Sequence, residues 1–184
     1  MLISLAVIVF MISCNQGTEA KNENATTTDA SSISGGQENV QDNDSQKDVV
    51  KVAMGSKDHT TLVAALKQAE LVTSLSNAGP FTVFAPTNEA FDKLPKGTVE
   101  GLMKDDKKED LQNILQYHVF MSALTPASFK DGQTLGMVNG DNVTVNVKDG
   151  KTILNNSATI IASIPASNGM IYVIDGVLLP PQKK

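Results

Sequence analysis

Residues Gly79–Pro95 read GPFTVFAPTNEAFDKLP, and this stretch decides the fold. Phe81, Val83 and Ala85 alternate with Thr82 and Phe84, the period of two that marks a strand. Pro86 has no N–H to donate and stops the ladder. Thr87 follows as an N-cap, its hydroxyl placed to accept an orphan backbone N–H of the next turn. Glu89 lies where the helix dipole favours negative charge, and Ala90, Phe91 and Leu94 form an apolar face. The stretch therefore predicts a buried strand, a sharp corner and a short helix.

Upstream, Thr60 is an N-cap candidate for a helix over 61–74, with Leu62, Val63, Leu66, Ala69 and Val72 near one face. The domain itself opens at Val49–Ala53. Downstream, Thr98–Lys104 predicts a helical turn. Asp106 and Glu109 are spaced as a capping box for a helix over 106–116. Leu111, Ile114, Leu115 and His118 follow the i, i+3, i+4, i+7 rule, so the histidine faces the same way as the leucines. Beyond it the period changes to two. Asn139-Gly140-Asp141 and Asp149-Gly150 are turn signals around Val143, Val145 and Val147. Ile153–Leu154, Thr159–Ile161 and Ile171–Leu179 supply further strands. Helices first and strands afterwards argue an α+β domain.

Three pieces of this pattern carry a resemblance. The Gly79–Pro95 stretch closely resembles the first signature box of the fasciclin domain family. Asn168–Pro180 (NGMIYVIDGVLLP) resembles its second, and Tyr117–His118 stands between them in the family's order. The resemblance covers nearly all of Val49–Pro181. It implies a wedge of two β-sheets with helices packed at one side, and a role in adhesion. In the family the Tyr-His pair is linked to adhesion, including receptor binding in animal members. Tyr172 stands where family members often carry His, which removes a second titratable ring. Thr87, Asn88, Tyr117, His118, Tyr172 and Asp175 are the box residues with a candidate interaction or structural role. For His118 the structural role is a buried ring held by a backbone carbonyl, or by Thr87 or Asn88 of the corner. For Asp175 it is tying down a turn.

The chain has 184 residues, and its N-terminal quarter reads as lying outside the domain. Residues 1–13 (MLISLAVIVFMIS) are uncharged and apolar, too short to span a bilayer but suited to a signal peptide. The Met11-Ile12-Ser13-Cys14 ending resembles a bacterial lipobox, in which Cys14 would become the diacylated N-terminus. Leu is usual where Met11 stands, and a basic leader segment is missing. Residues 14–48 then read as a disordered tether, since Ile33 and Val40 are its only large apolar residues. About 34 residues of flexible coil reach roughly 30 Å. Within it Asp42–Asp48 superficially suits a calcium loop, but Lys47 and Ala53 stand where Gly and Glu are required. The domain proper spans 49–184.

Charge and inventory narrow the function. The tether carries seven acids against Lys21 and Lys47, which accounts for the whole formal net charge of −5. The domain is neutral and contains no arginine, so it lacks the basic footprint of a nucleic-acid reader. Cys14 is the single cysteine, so no internal disulfide forms. His59 and His118 are the only histidines, and neither a Gly-x-Ser-x-Gly elbow nor a His-Glu-x-x-His zinc helix is present. No paired carboxylates point to a hydrolase, and no cofactor or metal is implied. The expected function is a lipid-anchored, non-catalytic, monomeric module in the cell envelope, on the outer membrane, cell surface or periplasmic side. It would bind an extracellular protein or polysaccharide. The alternative is a carrier holding a small ligand.

Overall fold

The computed structural model describes residues 47–181. The signal-peptide and Cys14 readings, and the tether reading up to residue 46, lie outside these residues. Asp48, placed by the sequence reading at the end of the tether, is instead buried in the domain and caps the first helix, its carboxylate accepting from Lys51 N at 2.8 Å. Seven strands form one hydrogen-bonded ladder in the order β2-β1-β7-β6-β5-β4-β3. They are β1 Phe81–Pro86, β2 Val119–Phe120, β3 Thr134–Gly136, β4 Asn142–Lys148, β5 Lys151–Leu154, β6 Ala158–Ala166 and β7 Gly169–Ile174. Central β1 and β7 run parallel, in register from Phe81↔Gly169 to Pro86↔Ile174, and the other pairs are antiparallel.

β6 joins the two halves of the wedge. Its first residues pair with β5 and the remainder with β7, with a register shift between Ile160 and Ala162. Such a bulge bends a strand and increases its twist. The far ends then meet, because Val138 N donates to Val119 O (3.0 Å) beside β3 and β2.

Six short helices precede or interrupt the strands: α1 Val49–Met54, α2 Thr60–Gln68, α3 Val72–Ser76, α4 Asn88–Asp92, α5 Thr98–Leu102 and α6 Lys108–Gln116. β1 and β7 separate two cores by the alternation of their side chains. Val83, Ala85 and Ile171 face the helical core of Leu62, Leu66, Leu111 and Leu115. Phe84, Tyr172 and Ile174 face the strand core of Leu135, Val143, Val145 and Leu154. Both faces of β1 are covered, which is why polar Thr82 is fully buried beside the apolar residues. Its hydroxyl donates to Ser122 O and accepts from Leu124 N.

Four further expectations are corrected. The first concerns the helix expected over 61–74, which is two helices. Glu70 takes a left-handed φ of 58°, Leu71 N donates to Leu66 O, and Glu70 N donates to Lys67 O. This is a Schellman stop, made by Glu where Gly is usual, so no glycine or proline marks it in the sequence. The second is Thr60, which sits inside α2 and does not cap it. The third is the Asp106/Glu109 box, which does not form. A 3₁₀ turn at Asp105–Lys107 precedes α6, and Lys107 at its N-cap makes no side-chain cap.

The fourth concerns strand lengths. β7 ends at Ile174, where the chain bends at Asp175-Gly176, instead of running to Leu179. β6 runs on to Ala166 through Pro165, beyond the expected Ile161. A proline is tolerated there because β6 pairs only with β7 along that stretch, leaving an open side for its missing N–H.

Candidate functional site

The corner after β1 forms as the sequence predicts. Thr87 has an extended backbone (φ −73°, ψ 163°) and its hydroxyl accepts from Ala90 N at 3.2 Å, capping α4. Asn88, the first residue of α4, works at a distance. Its Oδ1 accepts from Thr61 N (3.1 Å) and Thr60 Oγ1 (3.2 Å), and its Nδ2 donates to Lys57 O (2.9 Å). Asn88 thereby supplies the cap that α2 lacks locally.

A second asparagine does the same at the other end of the sheet. Asn168 is buried; its Oδ1 accepts from Val49 N (2.9 Å) at the start of α1, and its Nδ2 donates to Leu75 O (2.8 Å) and Asn77 O (2.9 Å) at the end of α3. The backbone approach there is so close that a Cβ on Gly169 would lie 2.0 Å from Phe81 O. In the sequence Asn168 is marked only as the head of the second box. The available signal was an Asn-Gly step between two strand patterns, where Ser167 and Asn168 make the two-residue turn from β6 into β7.

Tyr117 and His118 are 1% and 3% exposed, so neither presents a surface to a partner. The Tyr117 hydroxyl donates to Asn142 O (2.7 Å) and accepts from Asn155 Nδ2 (2.8 Å), tying the end of α6 to the β4–β5 region. His118 Nδ1 lies 2.8 Å from Ile114 O, and Leu178 N donates to Nε2 at 3.0 Å. A carbonyl can only accept and an amide can only donate, so the ring is the neutral tautomer with its proton on Nδ1. Burial lowers its pKa to about 4, against a smaller opposing pull from the Ile114 carbonyl. Thr87 and Asn88 do not hold this ring; a helix carbonyl and a strap amide do. The strap is the segment after β7, residues 175–181, and the histidine pins it to α6.

Tyr172 and Asp175 are also drawn inward. The Tyr172 hydroxyl donates to Leu124 O (2.9 Å), and its ring stacks on Phe84 (centroids 5.9 Å) and meets Phe129 edge-on (4.9 Å). Burial raises its pKa. Asp175 Oδ1 accepts from Thr159 N (2.7 Å), and its backbone O accepts from Lys93 Nζ (2.6 Å). The carboxylate thus fastens the bend after β7 to β6 beside its bulge. His59 is buried too, with Nδ1 2.9 Å from Ser56 Oγ, and burial lowers its pKa. Thr87 and Asn88 share one corner and Tyr117 and His118 one helix end, but the six candidates do not converge on a common cleft.

An α+β wedge of this topology, helices packed on one face of a mixed sheet, is a FAS1 fold. The solved FAS1 domain pair from the insect cell adhesion molecule fasciclin I superposes with a TM-score of 0.66 at 18% identity, over 73% of this chain and 51% of that one. The chain thus spans about half of that pair. The family model for the fasciclin domain matches residues 57–180, and the chain belongs to the fasciclin domain family. Protein sll1483 of Synechocystis sp. is 49% identical over 138 residues, 75% of this chain and 76% of its own. The cell surface glycolipoprotein MPB83 of Mycobacterium bovis is 36% identical over 141 residues, 74% of this chain and 62% of its own.

Proposed function

We propose that this chain is an interaction module of the cell envelope, tethered through a lipid on Cys14 and binding an extracellular protein or polysaccharide without catalysing a reaction. The observation that carries this reading is where the box side chains spend their polar atoms. Asn88, Tyr117, His118, Tyr172 and Asp175 all bond to the fold itself. Their hydrogen-bonding capacity goes to holding a rigid surface together. Two relatives support the setting, one named as a cell surface glycolipoprotein and one as part of a cell adhesion molecule.

The test has two arms. Mass spectrometry of the mature protein should find an acylated N-terminus at Cys14, lost in Cys14→Ser; an unacylated start elsewhere removes the tether. Capture from envelope extracts and on a glycan panel should yield a saturable partner, and capture of none removes the interaction reading.

The second reading, a carrier for a small ligand, has one observation of its own. An apolar cleft lies between the helices and the strap, with His118 at its floor. Its volume is only ≈30 Å³, room for no more than a water or two. A ligand therefore needs the wall to move.

A further inference from the structure

One wall of the cleft is lightly held. α5 supplies Val99 and Leu102, with Met103 just after it, yet none of the five α5 residues is buried. The helix begins at Gly97 in a left-handed φ of 85° and has no side-chain cap. Five residues cannot sustain a helix alone, so α5 stays helical only while its apolar side chains rest on the cleft. Few buried contacts and an uncapped end place such an element at the low-stability end of a domain. The opposite lip is Leu179 of the strap, 51% exposed.

The lining sets the chemistry. His118 is the one polar side chain in it, and both its ring nitrogens are already bonded. A polar ligand group placed inside would find no partner and pay its full desolvation cost, so the inserted part must be hydrocarbon. Leu102, Ile114 and Leu179 also line an adjoining outer groove of ≈350 Å³, which continues to Asp110, Asn113 and Pro181. Asp110 is the only charged side chain lining that groove among the described residues, and it is paired with Lys107 at 3.1 Å. The Asp110–Lys107 pair leaves the groove without a net charge of either sign to hold an anionic or a cationic headgroup. The Asp110 carboxylate keeps lone pairs to accept from hydroxyls, whereas Asn113 Oδ1 already accepts from Asn139 Nδ2 at 3.0 Å and has one lone pair left.

Resting on the carrier reading, we propose that this cleft takes a single acyl chain bearing an uncharged, hydroxylated headgroup, with α5 lifting to admit the chain. The hydrocarbon replaces the contacts that Val99, Leu102 and Met103 make in the closed state. The headgroup stays in the outer groove beside Asp110 and Asn113.

The experiment uses the full chain. 1-Aminoanthracene reports any apolar site by fluorescence, and 1-monolauroylglycerol, laurate and glycerol compete against it. The expected result is saturable displacement by monolauroylglycerol, at least tenfold weaker displacement by laurate and none by glycerol. Ala65→Leu narrows the floor and should weaken monolauroylglycerol at least tenfold. Leu179→Ser at the exposed lip should weaken it several-fold while leaving the melting midpoint in place, which keeps the test informative if Ala65→Leu fails to fold. Displacement undiminished in Leu179→Ser and in any folded Ala65→Leu overturns the site, and laurate binding as well as monolauroylglycerol overturns the headgroup assignment. If the dye binds but monolauroylglycerol does not displace it, the carrier reading stands and this ligand falls. If neither binds, both fall.

Discussion

Replacing His118 with Gln should change how stability depends on pH more than it changes stability at neutral pH. In the folded chain Nε2 accepts from Leu178 N, so protonation there removes an acceptor from a buried amide and places a charge in an apolar cleft. The folded pKa is about 4 against an ordinary 6.5, so the unfolded chain binds the proton first. Linkage then fixes the sign. Stability supplied by the neutral ring is fully present above pH 6.5, erodes as pH falls through that value, and is gone below about pH 4. At roughly 1.4 kcal/mol per tenfold change in proton affinity, the loss is on the order of 3 kcal/mol.

Gln keeps a donor and an acceptor but cannot titrate. At pH 7.5 it should cost about 1–3 kcal/mol for imperfect hydrogen bonds to Ile114 and Leu178. As pH falls towards 4 the wild type loses its histidine contribution and the variant has none to lose, so the gap should close or invert. All other groups are common to both proteins and cancel in the difference. Urea unfolding followed by far-ultraviolet circular dichroism at half-unit steps from pH 4 to 7.5 measures this, with equal m-values as the check on two-state behaviour. A gap that stays constant across the range would refute the buried neutral ring.

Four other outcomes follow from the same geometry. Asn88→Ala removes the cap of α2 and the partner of Lys57 O together and should cost about 2–4 kcal/mol in urea melts, with Asn88→Asp intermediate because it keeps the acceptor. Gly169→Ala forces its Cβ into the Phe81 carbonyl and should cost more than about 2 kcal/mol, whereas Gly136→Ala, whose Cβ would meet nothing nearer than 3.7 Å, should cost under about 1 kcal/mol. Thr87→Ala should cost about 1 kcal/mol and add to His118→Ala within roughly 0.5 kcal/mol in a double-mutant cycle, since the two residues share no hydrogen bond; strong coupling would place the ring against the corner. Deleting residues 15–44 should leave the melting midpoint within a few degrees, and a larger drop would show that the segment packs.

Local rules carried the sequence reading as far as local rules reach. The strand, corner and Thr87 cap of Gly79–Pro95 were legible because alternation and capping act within a few residues. The inward face of His118 was legible for the same reason, since it shares a helical stripe with Leu111 and Leu115. What stayed hidden is non-local or chemically unmarked. The stop at Glu70 uses a left-handed residue that is not glycine. The true cap of α2 comes from Asn88, 27 residues away, and the start of α1 is held by Asn168, 119 residues away.

Those two asparagines also explain why the helices can be so short. Helices of five to nine residues are marginal on propensity and nucleation alone, and α2 and α1 carry few strong formers at their starts. Asn88 lies two residues beyond the end of β1, and Asn168 directly precedes β7, so the two sit at opposite ends of the parallel central pair. Each side chain reaches from the sheet into a helix terminus. The sheet therefore supplies the cap of α2 and, beside the local cap from Asp48, holds the start of α1, and the helices in turn roof the core that buries β1. Folding of either layer without the other would leave these amides without their partners. Loss of one asparagine should accordingly lower the cooperativity of the whole domain instead of fraying a single helix, a distinction that hydrogen exchange on Asn88→Ala would read directly in the amides of β1 and β7.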